Sequence, residues 1–188
     1  MSRPGRNPLP RATLRELAAR AMRADRDALC DPADRAWVES ILTPSELDLW
    51  SGLSAYDQRH TIQVARRVQR RLASTVYAGD TLWPAAALMH DVGKLEADLS
   101  LLERAAATLA SRAVGVAGAR KWMRSPVRTK RRIGLYLLHG EVGARMIRRA
   151  GGREAIAAWT EAHQGDRGID GLGFPTIVVE ALIESDVA

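Results

Sequence analysis

The chain has 188 residues, with 28 basic and 22 acidic side chains and a formal net charge of +6. The length suits one domain, and 46% apolar with 27% charged residues fits a globular protein with a buried core. Cys30 stands alone, which excludes an intrachain disulfide framework and a cysteine-rich zinc site, and an aromatic share of 5% argues against stacked-base platforms for single-stranded nucleic acid.

In chain order, residues 1–11 hold Pro4, Pro8 and Pro10 among arginines and read as a disordered tail. Thr13 and Glu16 have capping-box spacing ahead of the stripe Leu14, Leu17 and Ala21. Asp31-Pro32 reads as a second helix start, and Thr43-Pro44 with Glu46 as a third. We therefore expect a helical extension over 12–50 and a main helical domain over 51–188. Tyr56, His60, Val64, Val68 and Leu72 recur every three or four residues until Gly79-Asp80. Further helices are expected from about Pro84 to Gly93, from about Leu99 to Ala113, and through Leu135, Leu138, Val142, Met146 and Ile147 to Gly151-Gly152. Another carries Ile156, Trp159 and His163. Residues 165–175, with four glycines and Pro175, read as a loop. Ile177 to Ile183 is β-branched, but no partner strand is evident elsewhere, so helix is favoured. The expected fold is all-α.

No apolar run approaches the roughly 20 residues of a membrane helix. Ala105–Ala119 is short and carries Arg112. Arg3, Arg6 and Arg11 precede no apolar signal region, so the expectation is a cytoplasmic protein without a transmembrane segment. The positive charge is local. Arg104 to Gly140 holds nine basic residues and no acidic one, and the remaining 19 basic and 22 acidic residues leave −3. Gly115, Gly118 and Pro126 make this segment read as partly loop. Arg120, Lys121, Arg124, Arg128, Lys130, Arg131 and Arg132 are its candidate contacts to nucleic acid or an anionic surface; the plainer reading is a solvated face.

The four histidines, His60, His90, His139 and His163, fall on different helices or helix ends, each on an apolar side. Asp91 follows His90, and Asp186 shares the Val179, Leu182 and Ile183 side of the last helix. One inward histidine is usually a satisfied core residue. Four of them with two inward carboxylates suggest ligands converging on one centre, because an unpartnered buried carboxylate is costly. Imidazole with carboxylate suits a first-row divalent metal such as Fe, Mn, Co, Ni or Zn.

Leu88-Met89-His90-Asp91-Val92-Gly93-Lys94 resembles the signature of HD-domain metal-dependent phosphohydrolases, with His60 at the early histidine position and Asp186 at the late aspartate position. The resemblance spans about residues 50–188. His139-Gly140-Glu141-Val142-Gly143-Ala144 is similar to a stretch of the symmetrical diadenosine tetraphosphate hydrolases of the HD type, and His139 and His163 match the histidines that bind a second metal there. Asp170-Gly171-Leu172-Gly173-Phe174-Pro175 is similar to the motif of HD-GYP phosphodiesterases. The chain departs from that group at Ala162-His163-Gln164-Gly165, where a His-His-Glu triplet is missing.

The resemblance implies an all-helical fold holding one or two divalent ions and acting on a nucleotide or other phosphorylated small molecule. His60, His90, Asp91 and Asp186 would hold one ion, His139 and His163 the other, with Asp91 bridging. A metal-activated water would attack phosphorus, and Lys94 would neutralise phosphate charge; alternatively Lys94 is a solvated cation at a helix end. Small di-iron oxygenases share the same six-ligand pattern and form an alternative. A non-catalytic, metal-stabilised module using the basic segment is another.

Overall fold

The computed structural model describes residues 31–164 and 169–187. The expected tail over 1–11 and the helix start at Thr13 lie outside these residues. The described residues form ten α-helices, one 3-10 turn and no strand.

Two short helices come first: α1 (Pro32–Glu39) and α2 (Pro44–Ser51). Asp31 caps α1 by accepting from Ala33 N–H at 3.1 Å, with proline in the first turn. Thr43 and Glu46 form a reciprocal capping box on α2. Both sequence-predicted starts are present. Val38, Ile41, Leu42 and Trp50 from this region join the larger of two buried clusters.

The centre is built from α3 (Ala55–Leu72) and α4 (Leu82–Met89). Ile62, Val64, Ala65, Val68 and Leu72 form the buried side of α3. In α4, residues 83–89 are all buried. A helix apolar all round belongs inside a fold, and its three consecutive alanines let neighbouring helices approach closely. Around them lie α8 (His139–Arg149), α9 (Glu154–Ala162) and α10 (Thr176–Asp186), which supply Ala144, Ile147, Ile156, Ala157, Trp159, Val178, Ala181 and Leu182. The β-branched last segment is thus helical, as expected.

An outer layer comprises α5 (Lys94–Ala97), α6 (Leu101–Met123) and α7 (Arg128–Leu137). A smaller cluster of Ala97, Leu99 and Ala107, with Ile133, Leu135 and Tyr136 against it, holds this layer together. Here the sequence reading needs correction. The segment expected to be partly loop is helical except for 124–127, around Pro126, and Leu138. Ser100 and Glu103 cap α6 with a second capping box, and alanine and arginine are strong helix formers. Gly118 lies inside the helix, and only Gly115 breaks it, at φ 60° and ψ 176°. The helix expected through Leu135 and Val142 is two. Leu138, at φ −114° and ψ 28°, separates α7 from α8. The apolar spacing runs in phase across this break, so periodicity alone does not reveal it. No described helix is long and apolar enough to cross a membrane.

Candidate metal centre

Five of the six candidate ligands sit at helix ends. His90 caps the C-terminus of α4 and Asp91 follows it; His139 opens α8, His163 caps α9 and Asp186 closes α10. His60 lies in the second turn of α3. The helix ends can meet because glycines remove side chains at the crossings. A Cβ on Gly93 would lie 1.9 Å from the His139 carbonyl oxygen, and one on Gly140 would lie 2.7 Å from the Thr160 carbonyl oxygen. The glycines of the HDVGK and HGEVGA stretches therefore permit backbone contact between α5, α8 and α9.

The ligand atoms form two groups, His60 with His90 and Asp186, and Asp91 with His139 and His163, each lying within 4.8 Å of one another. Asp186 Oδ1 is 3.3 Å from His60 Nε2 and 3.4 Å from His90 Nε2. Asp91 faces both groups. Its Oδ2 lies 3.5 Å from His90 Nε2 and 3.9 Å from His60 Nε2, and its Oδ1 lies 3.1 Å from His139 Nε2. His139 and His163 bring their Nε2 atoms to 3.3 Å.

Three ring orientations are set by the backbone. Nδ1–H of His90 donates to the Ala87 carbonyl at 2.7 Å, that of His139 to Tyr136 at 2.8 Å, and that of His163 to Thr160 at 2.7 Å. Each leaves Nε2 directed at the centre. Nε2 of His139 thus faces both Nε2 of His163 and an Asp91 oxygen. A proton on one of these nitrogens, or a metal ion between them, would satisfy such an array. The donor set, neutral imidazole with carboxylate oxygen, is one that divalent first-row metals take.

Burial and the neighbouring His90 and His139 push His163 down to about 3, so its imidazole is neutral. Burial opposes charge on His90 as well, but Asp91 and Asp186 raise it to about 9. Asp91 is held well below the usual carboxylate range: burial works against the charge, and His90 and Lys94 outweigh it. Hydrogen bonds from His60 and His90 keep Asp186 ionised.

Comparison with known proteins gives no relative. No family model, curated protein or solved structure matches the chain. The chemistry rests on the residues themselves.

Lys94 is neither solvated nor a terminal cap. Its Nζ lies 2.5 Å from Asp91 Oδ2 and 3.9 Å from Asp57 Oδ1. Burial lowers its pKa and the Asp91 charge more than restores it, leaving it raised. Beside it opens a cavity of about 250 Å³ lined by residues including Tyr56, Asp57, His60, Lys94, Arg104 and Tyr136.

Sequence reasoning missed several supports. Asp57 is 1% exposed and accepts from Arg104 Nη1 at 2.7 and 2.8 Å, which seats that guanidinium in the cavity wall. Arg67 Nη1 donates to the Ser185 carbonyl at 3.1 Å, and Arg71 pairs with Glu184; both hold the end of α10 beside α3. Gln164 Oε1 accepts from Gly140 N–H at 2.6 Å. An arginine four residues after the Ser100 cap gives no sign in the sequence of a carboxylate 47 residues away.

The basic segment divides. Arg104 lines the cavity. Arg120 pairs with Glu141 at 2.6 Å, and Arg132 with Glu103 at 3.2 Å and Asp98 at 3.6 Å. Two of the seven expected contact residues are thus engaged within the protein. Lys121, Arg124, Arg128, Lys130 and Arg131 remain exposed.

Proposed function

We propose that the protein is a metal-dependent phosphohydrolase that cleaves a nucleotide or other phosphoester. The observation that carries this reading is the pair of His/Asp groups joined through Asp91, with one ligand, His60, lining a cavity whose wall also holds two cations, Lys94 and Arg104. One or two divalent ions (Fe, Mn, Co, Ni or Zn), held by His60, His90 and Asp186 and by Asp91, His139 and His163, would supply Lewis acidity and a nucleophile at neutral pH.

The chain's own groups do the rest. Asp91 holds Lys94 against the cavity, so that its ammonium meets a phosphate oxygen without first having to be positioned. Asp57 orders Arg104 on the same wall. Arg104 donates Nε to the Leu99 carbonyl at 3.0 Å and Nη1 to Asp57, and has no acceptor for Nη2 among the described residues. That leaves a guanidinium nitrogen for substrate charge. Buried Asp91 also keeps the two ligand groups in a single register.

The test is metal analysis of protein purified with and without air, followed by a phosphoester panel. We expect bound divalent metal and release of phosphate or mononucleotide. Asp91→Ala should abolish release while far-ultraviolet circular dichroism still reports the helical fold. Metal binding without hydrolysis, but with oxygen consumption, would replace this reading with the di-iron oxygenase. Absence of metal binding at neutral pH would remove both.

A further inference from the structure

The α6–α7 hairpin carries a feature that the metal centre does not use. Lys121 and Arg124 at the end of α6, and Arg128, Lys130 and Arg131 at the start of α7, are all exposed and have no carboxylate partner among the described residues. Three of the five crowd the first turn of α7, the positive end of its dipole, where cations are disfavoured. That turn has no acidic residue and no side-chain cap. Among the described residues nothing compensates the arrangement, and an external anion would. Val127 sits between the two groups of cations and is 52% exposed; Val116, on α6 before them, is 62% exposed.

We infer that this end of the hairpin docks on an anionic lipid surface. Phosphate headgroups would meet the five cations, and Val127 would enter the headgroup boundary while the Lys and Arg stems lie along it. The aliphatic side chains favour lipid over nucleic acid, which would leave them nothing to bury against. No exposed aromatic ring stands among the cations for base stacking: Trp122 is partly buried and Tyr136 lines the cavity. Residues 1–30 do not suit as occupant, because they carry seven arginines against three acidic residues.

The full chain should be sedimented with vesicles of phosphatidylcholine alone and with one-third phosphatidylglycerol. Binding should appear only with the anionic vesicles and fall steeply between about 0.05 M and about 0.5 M NaCl. Arg124→Gln and Arg128→Gln should each weaken it about fivefold. Val127→Ser should weaken it at unchanged charge, with circular dichroism confirming the fold in each variant. Equal binding to neutral vesicles, no binding to anionic ones at low salt, or binding unaffected by these substitutions would overturn the inference. So would tighter binding to a 20-nucleotide RNA than to the anionic vesicles, or a change in self-association on charge reversal, which would assign the surface to nucleic acid or to a second copy.

Discussion

At the residue scale, two buried ion pairs have opposite meanings. Lys94 is locked between Asp91 and Asp57 at the edge of a cavity, so removing it takes a positioned cation from the substrate side. Lys94→Ala should lower kcat/KM for the best phosphoester by about 10²–10³-fold, the usual loss for one positioned donor, while metal content stays unchanged. Steady-state kinetics with metal analysis checks both halves, and unchanged kinetics would reduce Lys94 to a structural role. Glu46 forms the other pair, with Arg153. It is fully buried and accepts from Arg153 through the backbone N–H at 3.0 Å, Nε at 3.0 Å and Nη2 at 2.7 Å. Burial pushes its carboxyl up, but these bonds and the one from Thr43 outweigh it and hold the pKa below the ordinary value. Its contribution to stability is therefore complete above the ordinary glutamate value of about 4.3 and disappears as pH falls through the lowered one. Thermal melts should show Tm falling below about pH 4 in the parent protein. Arg153→Ala, which strands the buried carboxylate, should cost about 3–5 kcal/mol at pH 7 and lessen the acid-dependent loss.

At the element scale, the centre depends on helix crossings as much as on ligands. Gly93→Ala would drive a methyl group into the His139 carbonyl and the Gly143 amide, at 1.9 and 2.6 Å. We expect a loss of about 1–3 kcal/mol from overpacking and weaker metal binding, as α8 carries His139 away from Asp91. Gly79→Ala is the control. Its φ of +80° strains any other residue, yet nothing lies within 4 Å of the added Cβ, so stability should fall with metal affinity intact. Calorimetric metal titration of both variants separates the two effects. The starts of α1 and α2 were legible because capping is local chemistry, written within four residues. The ligand set was legible for a different reason: inward histidines and carboxylates are rare enough to stand out one helix at a time. The break at Leu138 was not, because both sides of it keep the same apolar phase. Neither were the Arg104–Asp57 and Arg67–Ser185 contacts, which join residues 47 and 118 apart. Nor was the role of Gly93, whose backbone has to touch α8.

At the scale of the whole molecule, the six candidate ligands run from residue 60 to residue 186 and converge only when the fold is complete. His60 and Asp186 come from opposite ends of the main helical region, yet their atoms lie 3.3 Å apart. A metal held there would act as a cross-link between α10 and the core, joining helices that the Arg67 and Arg71 contacts already align. The unfolded chain offers no such site, so binding should be linked directly to global stability. At a metal concentration 100 times Kd, the folded state should gain about 2.7 kcal/mol. For a chain of this size that raises Tm by roughly 5–11 °C. Thermal melts with zinc or manganese, and again after chelation, should show the rise and its reversal. Because the ligands fall into two groups bridged by Asp91, Asp186→Ala should leave Asp91, His139 and His163 able to bind, lowering the metal content without abolishing it. Asp91→Ala should disturb both groups and remove most of the rise in Tm. A melt indifferent to metal, or one equally responsive in Asp91→Ala, would mean that the six side chains converge for packing alone.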